Sequence, residues 1–352
     1  MVVMAWRVCT CAIAMLGCGR VGFDGGSIGA DAAPDPLTDP KNCGRVGHDC
    51  IGGGCMAGVC QPWTLATGEL LPWGITVDAT NVYWTTDGAP GAVYSCPLAG
   101  CGATPTLLAS VPTAATRITV DAAHVYFSEF DAGNVVACPL AGCGANSPAP
   151  LSSGENQPMG VAVAAGNVYW ADSGGTLVRM TAVPGGGAVS TLAVNQSGPR
   201  TLVADATNLY WTSAGGEVVT CPLAACPSPV TLASNQAAPY FIALYGGDVY
   251  WTNDSNPGSI AKCAITGCGG NPTTIVASSS PIGLDVDASG IYWLDGDHAT
   301  SGSVLHCPIA GCGPVPDVLA VNQAGAFALV AAPNAVYWTN SNDGTVRAVA
   351  KP

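Results

Sequence analysis

Ten of the seventeen cysteines in this 352-residue chain fall into five pairs of one spacing, C-x4-C: Cys96 with Cys101, Cys138 with Cys143, Cys221 with Cys226, Cys263 with Cys268 and Cys307 with Cys312. Thiols at such spacing can hold metal or close disulfides, and their neighbours decide which. Tetrahedral zinc needs four nitrogen or sulfur donors. Each pair stands alone in its own stretch, and the four histidines, His48, His124, His298 and His306, are too few and too scattered to complete five sites. Disulfides are therefore expected, which places the chain in an oxidising compartment. Each would staple a tight hairpin, contributing about 2 kcal/mol in the chain-entropy description. In the first, Cys96 closes one strand, Pro97 starts the turn and Cys101 is expected to begin the return. One repeat has Pro184-Gly185-Gly186-Gly187 in place of the pair. Four further cysteines, Cys43, Cys50, Cys55 and Cys60, lie in a segment too short to build an apolar core, so cross-links must give it shape, with three pairings open.

Catalytic chemistry has a thin inventory. Neither a G-x-S-x-G elbow nor an H-E-x-x-H motif occurs. His298, beside Asp295 and Asp297, is the one histidine expected in a loop of the functional face, and it could act with Glu129 or Glu217 across a channel mouth. Acids recur in the same class of loop at Asp87, Glu129, Asp131, Asp172, Asp254, Asp295, Asp297 and Asp343, without the D-x-D-x-D-G spacing of a dedicated calcium loop. Local turn hydrogen bonding accounts for most of them. No metal site and no cofactor is expected.

These residues must be positioned by a repeat. Tyr-Trp, or Tyr-Phe once, returns at Tyr83, Tyr126, Tyr169, Tyr210, Tyr250, Tyr292 and Tyr337, with four short apolar runs to each interval. That is one blade of a β-propeller. In the first, Gly74 to Asp78 is the inner strand, Asn81 to Thr85 the second, Ala92 to Cys96 the third and Thr106 to Ala109 the outer. The chain ends after a seventh third strand, while an extra outer-type run, Trp63 to Thr67, precedes the first blade. Pairing of that run with Thr345 to Val349 would close the ring and leave no free sheet edge. The expected fold is all-β: a seven-bladed propeller of four-stranded antiparallel blades, closed by an N-terminal outer strand and preceded by a short disulfide-rich segment. Alternation sends Tyr and Trp to opposite faces, so both should be core between blades.

Val77-Asp78 followed by Tyr83-Trp84-Thr85 resembles the YWTD-repeat propellers of lipoprotein-receptor ectodomains, and NHL-like propellers are nearly as similar. Asp172 and Asp295 stand at the acidic position of that motif, where Thr86, Ser213, Asn253 and Asn340 depart from it. The resemblance spans residues 63 to 352 and implies a secreted binding scaffold. Ten residues before each motif Tyr stand Trp73, Thr116, Met159, Arg200, Tyr240, Ile282 and Phe327, at the start of the inner strand. A position that varies from blade to blade is freed from the common packing demand, and this one is rich in aromatics. Trp73, Met159, Arg200, Tyr240 and Phe327 are the expected ligand-binding rim. The recurring Asn-Gln at Asn156, Asn195, Asn235 and Asn322 reads as turn chemistry.

Arg7, the apolar residues 8 to 16 and then Gly17-Cys18 read as an export signal of bacterial lipoprotein type over residues 1–18, with Cys18 the expected lipidation site; an ordinary cleaved signal is the alternative. Residues 19–42 are a flexible linker, 43–61 the four-cysteine module and 62–352 the propeller. A net charge of -13 lacks the clustered Lys and Arg that phosphate-backbone binding requires, so nucleic acid is excluded as a partner. The combined expectation is a monomeric, non-enzymatic scaffold outside the cytoplasm, on a bacterial outer membrane or cell surface, that binds a protein or glycan and meets the membrane only through a lipid anchor. Secreted or periplasmic placement is the alternative location. A lyase or hydrolase at the channel mouth, or a purely structural envelope protein, is the alternative function.

Overall fold

The computed structural model describes residues 35–102, 104–144, 148–175, 177–182, 187–296, 300–313 and 315–352. The expected leader, the lipidation site Cys18, most of the linker, Pro184 to Gly186 and the pair Asp297 and His298 lie outside the described residues. Seven four-stranded antiparallel sheets form the blades, spanning residues 72–111, 118–153, 158–193, 199–233, 239–278 and 281–320 for the first six. The seventh takes Ala326–Ala331, Ala335–Asn340 and Thr345–Ala350 from the end of the chain, and its fourth strand, Trp63–Thr67, from before the first blade. Trp63 pairs with Ala348 and Thr67 with Thr345, while Leu65 is 1% exposed beneath them. Among the described residues no helix is long and apolar enough to cross a membrane.

The aromatic pair builds the seams between blades. Trp170, Trp211, Trp251, Trp293 and Trp338 each share a core cluster with the Tyr of the preceding blade, respectively Tyr126, Tyr169, Tyr210, Tyr250 and Tyr292. Trp84 joins Tyr337 across the closure, and Phe127 takes the tryptophan's place against Tyr83. Both polar ends are satisfied locally in most blades, as buried ring donors require. The indole N–H of Trp84, Trp211, Trp251, Trp293 and Trp338 donates to the residue fifteen positions earlier: Glu69, Gln196, Gln236, Ser278 and Gln323. Tyr83, Tyr126 and Tyr210 donate to Asp78, Asp121 and Asp205 at 2.7, 2.8 and 2.9 Å. Those carboxylates also accept turn N–H groups. Burial and then the bond to the carboxylate push the phenols of Tyr83 and Tyr210 up to about 12. Partial burial pulls Asp78 upward, but the hydrogen bonds from Tyr83, Thr80 and Asn81 outweigh it and hold its carboxyl below the usual range.

The five C-x4-C pairs are disulfides: Cys96 is bonded to Cys101, Cys138 to Cys143, Cys221 to Cys226, Cys263 to Cys268 and Cys307 to Cys312. The first cysteine of each pair is buried on a third strand. The second does not begin the return, which is a correction to the expected hairpin. Cys101, Cys143, Cys226, Cys268 and Cys312 all lie in the connecting loop, ahead of outer strands that start at Thr106, Pro150, Val230, Thr273 and Asp317. In three of the loops a glycine in left-handed backbone follows directly, Gly102, Gly144 and Gly269, and turns the chain away before pairing can start. Cys101, Cys143, Cys268 and Cys312 are half-buried, so four of the staples reach from the core to the rim of the hairpin, whereas Cys221–Cys226 is buried at both ends.

Before the ring, Cys43 is joined to Cys55 and Cys50 to Cys60, one of the three pairings left open by sequence. The module docks on the closing blade: the His48 ring lies between the Cys43 carbonyl (Nδ1, 2.7 Å) and the Lys351 carbonyl (Nε2, 2.8 Å). Seven disulfides among the described residues mark an extracytoplasmic protein.

Leu65→Ala is expected to lower stability by about 2–4 kcal/mol in a urea titration, because the closing strand loses its buried anchor; an unchanged midpoint would show that the strand does not close the ring. Asp285 supplies a pH test. It bridges two blades by accepting the N–H of Ala331 at 2.8 Å, and burial, with Asp287 adding to it, pushes its carboxyl up to about 6 against the opposing bond from Ala331. A carboxyl raised in the folded state favours folding below the ordinary carboxylate pKa, and that advantage disappears as pH rises through about 6. Asp285→Asn should therefore match the wild type near pH 4 and exceed it by up to about 3 kcal/mol near pH 8. Paired melts at the two pH values decide it.

Candidate functional site

Six of the seven inner strands open on a register shift against the second strand: between Pro72 and Ile75, Pro158 and Val161, Pro199 and Leu202, Pro239 and Ile242, Ile282 and Leu284, and Ala326 and Leu329. A bulge takes residues out of the ladder and re-aims their side chains. Trp73, Met159, Arg200, Tyr240 and Phe327 all sit in these bulges. In blade two, Thr116 and Arg117 precede the inner strand Ile118–Val120 and hydrogen-bond instead to Ser128.

In four blades the hydroxyl that follows Tyr-Trp or Tyr-Phe anchors the start of the neighbouring inner strand. Thr85 donates to the Thr116 carbonyl at 2.5 Å, Ser128 to Met159 at 2.9 Å, Thr212 to Tyr240 at 2.7 Å and Thr339, across the closure, to Trp73 at 2.8 Å. Blades three and six carry Ala171 and Leu294 at that position and lack the hydroxyl. Trp73, Thr116, Met159 and Tyr240 are thus held by their backbones while their side chains are left to vary.

The structure gathers part of the expected rim and separates the rest. Trp73 stacks on Phe327 with ring centroids 3.6 Å apart, and Tyr240 meets Phe327 edge-on at 6.4 Å. Arg200 lies over Tyr240 at 5.2 Å. Trp73, Met159 and Tyr240 are half-buried and border one cavity of about 310 Å³ at the mouth. Thr116 borders it as well, although nearly buried. Phe327 lies under Trp73, and Ile282 is packed in the core of the last seam.

Arg117, one position after the rim, is the residue that sequence reasoning missed. Its guanidinium carbon lies 4.6 Å from the centroid of Phe241, 4.8 Å from Phe327 and 5.2 Å from Tyr240. The residue is 7% exposed, and its Nη2 is buried with no hydrogen-bond partner. It borders both the mouth cavity and a second cavity of about 320 Å³ in the channel, lined by Val161, Leu202, Ile242 and Leu329. The guanidinium and its rings therefore stand between mouth and channel. A signal was available: the seven residues at this register are Gly74, Arg117, Gly160, Thr201, Phe241, Gly283 and Ala328, small in five blades. Gly74 and Gly160 are small for a reason, since an added Cβ would come within 2.4 and 2.6 Å of the next blade's Thr116 and Arg200 carbonyls. Arg117 and Phe241 are the two departures, and both flank the channel.

The loop acids divide sharply. Glu129 accepts from Thr113 and Asn134, Asp295 from Ser279 and Ser280, and Asp343 from Thr345. Asp172 is buried, and burial followed by the nearby Glu155 carboxylate raises its pKa. Glu217 borders a different cavity beside Ser197. Asp87 and Asp131 border the mouth cavity, and no described residue donates a hydrogen bond to either carboxylate. Burial first and Asp131 second raise the pKa of Asp87, against the pull of Arg117. Among the described residues, the one group of three candidate metal ligands is Cys43, Cys50 and Cys60, and those sulfurs are engaged in disulfides.

No family model matches the sequence, and no curated protein does. Solved structures match in shape. A streptogramin B lyase structure is 14% identical over 82% of this chain and 96% of its own, with a TM-score of 0.67. A catalytically inactive virginiamycin B lyase from Staphylococcus aureus, solved with quinupristin, is 13% identical over 82% and 98%, also with a TM-score of 0.67. A chain of the nidogen/laminin complex is 20% identical over 62% and 85%, with a TM-score of 0.50. At such identities the likeness shows the fold: the chain is a propeller repeat protein.

Thr339→Val removes the donor to the Trp73 carbonyl and the acceptor of the Ala328 N–H while keeping the volume. Leaving those buried groups unpaired should cost about 1–3 kcal/mol and shift the Trp73 emission, read by chemical denaturation and fluorescence.

Proposed function

We propose that this chain is an exported, non-enzymatic propeller that captures a protein or glycan partner at a bacterial cell surface, with Cys18 as the lipid-bearing anchor. One observation carries the reading: half-buried Trp73, Met159 and Tyr240 converge on one mouth cavity. Large side chains left half-buried around a concavity, while the equivalent Ile282 and Phe327 are buried, have the composition of binding hot spots. The bulges that present them rest on the anchored backbone, so the surface is organised before a partner arrives.

A lyase acting at the same mouth is the second reading, and it draws on the fold shared with streptogramin B lyase. Its sequence-proposed histidine, His298, is outside the described residues; the described His48, His124 and His306 do not border the mouth cavity. Capture from the native cell surface separates the two readings. Trp73→Ala and Tyr240→Ala should each reduce retention of the partner at least tenfold, Val230→Ser on an exposed outer strand should not, and His298→Ala should leave retention intact. Loss of turnover of a bound compound in His298→Ala, with capture unaffected by the rim variants, would replace binding with catalysis.

A further inference from the structure

The mouth cavity holds an unsatisfied arrangement of charge. Arginine stays protonated at any working pH, yet Arg117 makes no ion pair within the described residues and keeps Nη2 buried without a partner. Aromatic faces at 4.6 to 5.2 Å compensate part of the lost hydration through the ring quadrupoles. They cover the faces of the guanidinium plane and do not accept from its N–H groups, whose preferred acceptor is a carboxylate. Water removed from a charge in this way is tolerated when an opposite charge replaces it.

A plain anion is a poor match, because Asp87 and Asp131 border the same cavity. Unlike Glu129, Asp295 and Asp343, these two acids spend no acceptor capacity on turn hydrogen bonds from described residues. The cavity thus presents one cation and two anions beside the apolar surfaces of Trp73, Phe130 and Met159. Its volume of about 310 Å³ is at the low end of small-molecule sites. We propose that the mouth cavity binds a free amino carboxylate with an apolar side chain, its carboxylate on Arg117, its ammonium toward Asp87 and Asp131, and its side chain against Trp73 and Met159. This rests on the mouth being a binding face and adds a small ligand at its centre.

Isothermal titration of the purified, disulfide-intact protein with L-phenylalanine, L-leucine, L-methionine and L-tryptophan tests it. At least one should bind, and its N-acetyl and carboxamide derivatives, each lacking one charge, should both bind at least tenfold more weakly. Arg117→Met should weaken the zwitterion at least tenfold, with Arg117→Lys retaining part of the affinity. The double variant Asp87→Asn with Asp131→Asn should weaken the zwitterion and leave the N-acetyl derivative unchanged or tighter. This second variant keeps the test valid if near-ultraviolet circular dichroism shows that Arg117→Met has misfolded. N-acetyl derivatives binding as tightly as the parent, undiminished binding in folded Arg117→Met, or no saturable binding by any of the four up to about 10 mM would each overturn the proposal. Partner capture that still depends on Trp73 and Tyr240 while no amino carboxylate binds would defeat this inference alone; rim-independent capture would defeat the broader reading.

Discussion

The packing of each blade's tryptophan, or Phe127 in blade two, on the tyrosine of the blade before it is the constraint from which the rest of the molecule follows. Six tryptophans and most of the motif tyrosines have under 2% of their surface exposed. Burying about 200 Å² for one such ring contributes roughly 5 kcal/mol of gross driving force, most of it cancelled by chain entropy. A buried indole or phenol brings a polar hydrogen with it, and the repeat supplies an acceptor at a set distance along the chain. That explains why the acceptor can be Glu69, Gln196 or Ser278 without disturbing the blade. Blade three shows the limit: Glu155 stands at the acceptor position but turns to Ser152 and Arg179, and the Trp170 N–H is left unpaired.

The blade count and the closure were legible because packing repeats, and repetition survives in sequence even when identity to other propellers falls to 14%. The disulfide partners were legible too, although the loop positions of Cys101, Cys143, Cys226, Cys268 and Cys312 were not, since spacing along the chain does not say where pairing with the next strand starts. The Asn-Gln dipeptide was half legible. Asn195, Asn235 and Asn322 do adopt left-handed backbone, φ 57°, 57° and 59°, as turn chemistry demands. The glutamines beside them instead serve the buried indoles, a contact fifteen residues away that no local turn rule contains. Arg117 escaped for a related reason. In blade two Thr116 and Arg117 lie ahead of the paired strand Ile118–Val120, and where pairing starts leaves no periodic trace. The sequence pattern pointed to Thr116, while the charge at the mouth belongs to its neighbour.

Charge at the mouth depends on this same geometry. An arginine among aromatic faces needs a backbone that brings three blades' side chains together near the axis, and Phe241, Phe327 and Tyr240 come from blades five and seven to meet a residue of blade two. Rings at the centre of a wheel can touch across it, whereas those on the outer strands meet only adjacent blades. The variable residues therefore cooperate even though they are far apart along the chain.

The N-terminal module also has a mechanical role. Tension arriving along the chain from before Cys43 reaches crossed covalent links, Cys43 to Cys55 and Cys50 to Cys60, before it reaches Trp63. Those links prevent the loops between them from paying out as slack, and the His48 contact to the Lys351 carbonyl ties the module to the far end of the polypeptide. A pull is thus shared between both ends of the ring's last sheet, so the closing strand is not peeled away alone from its free end. The joint where the two ends of the polypeptide meet is thus braced from both sides.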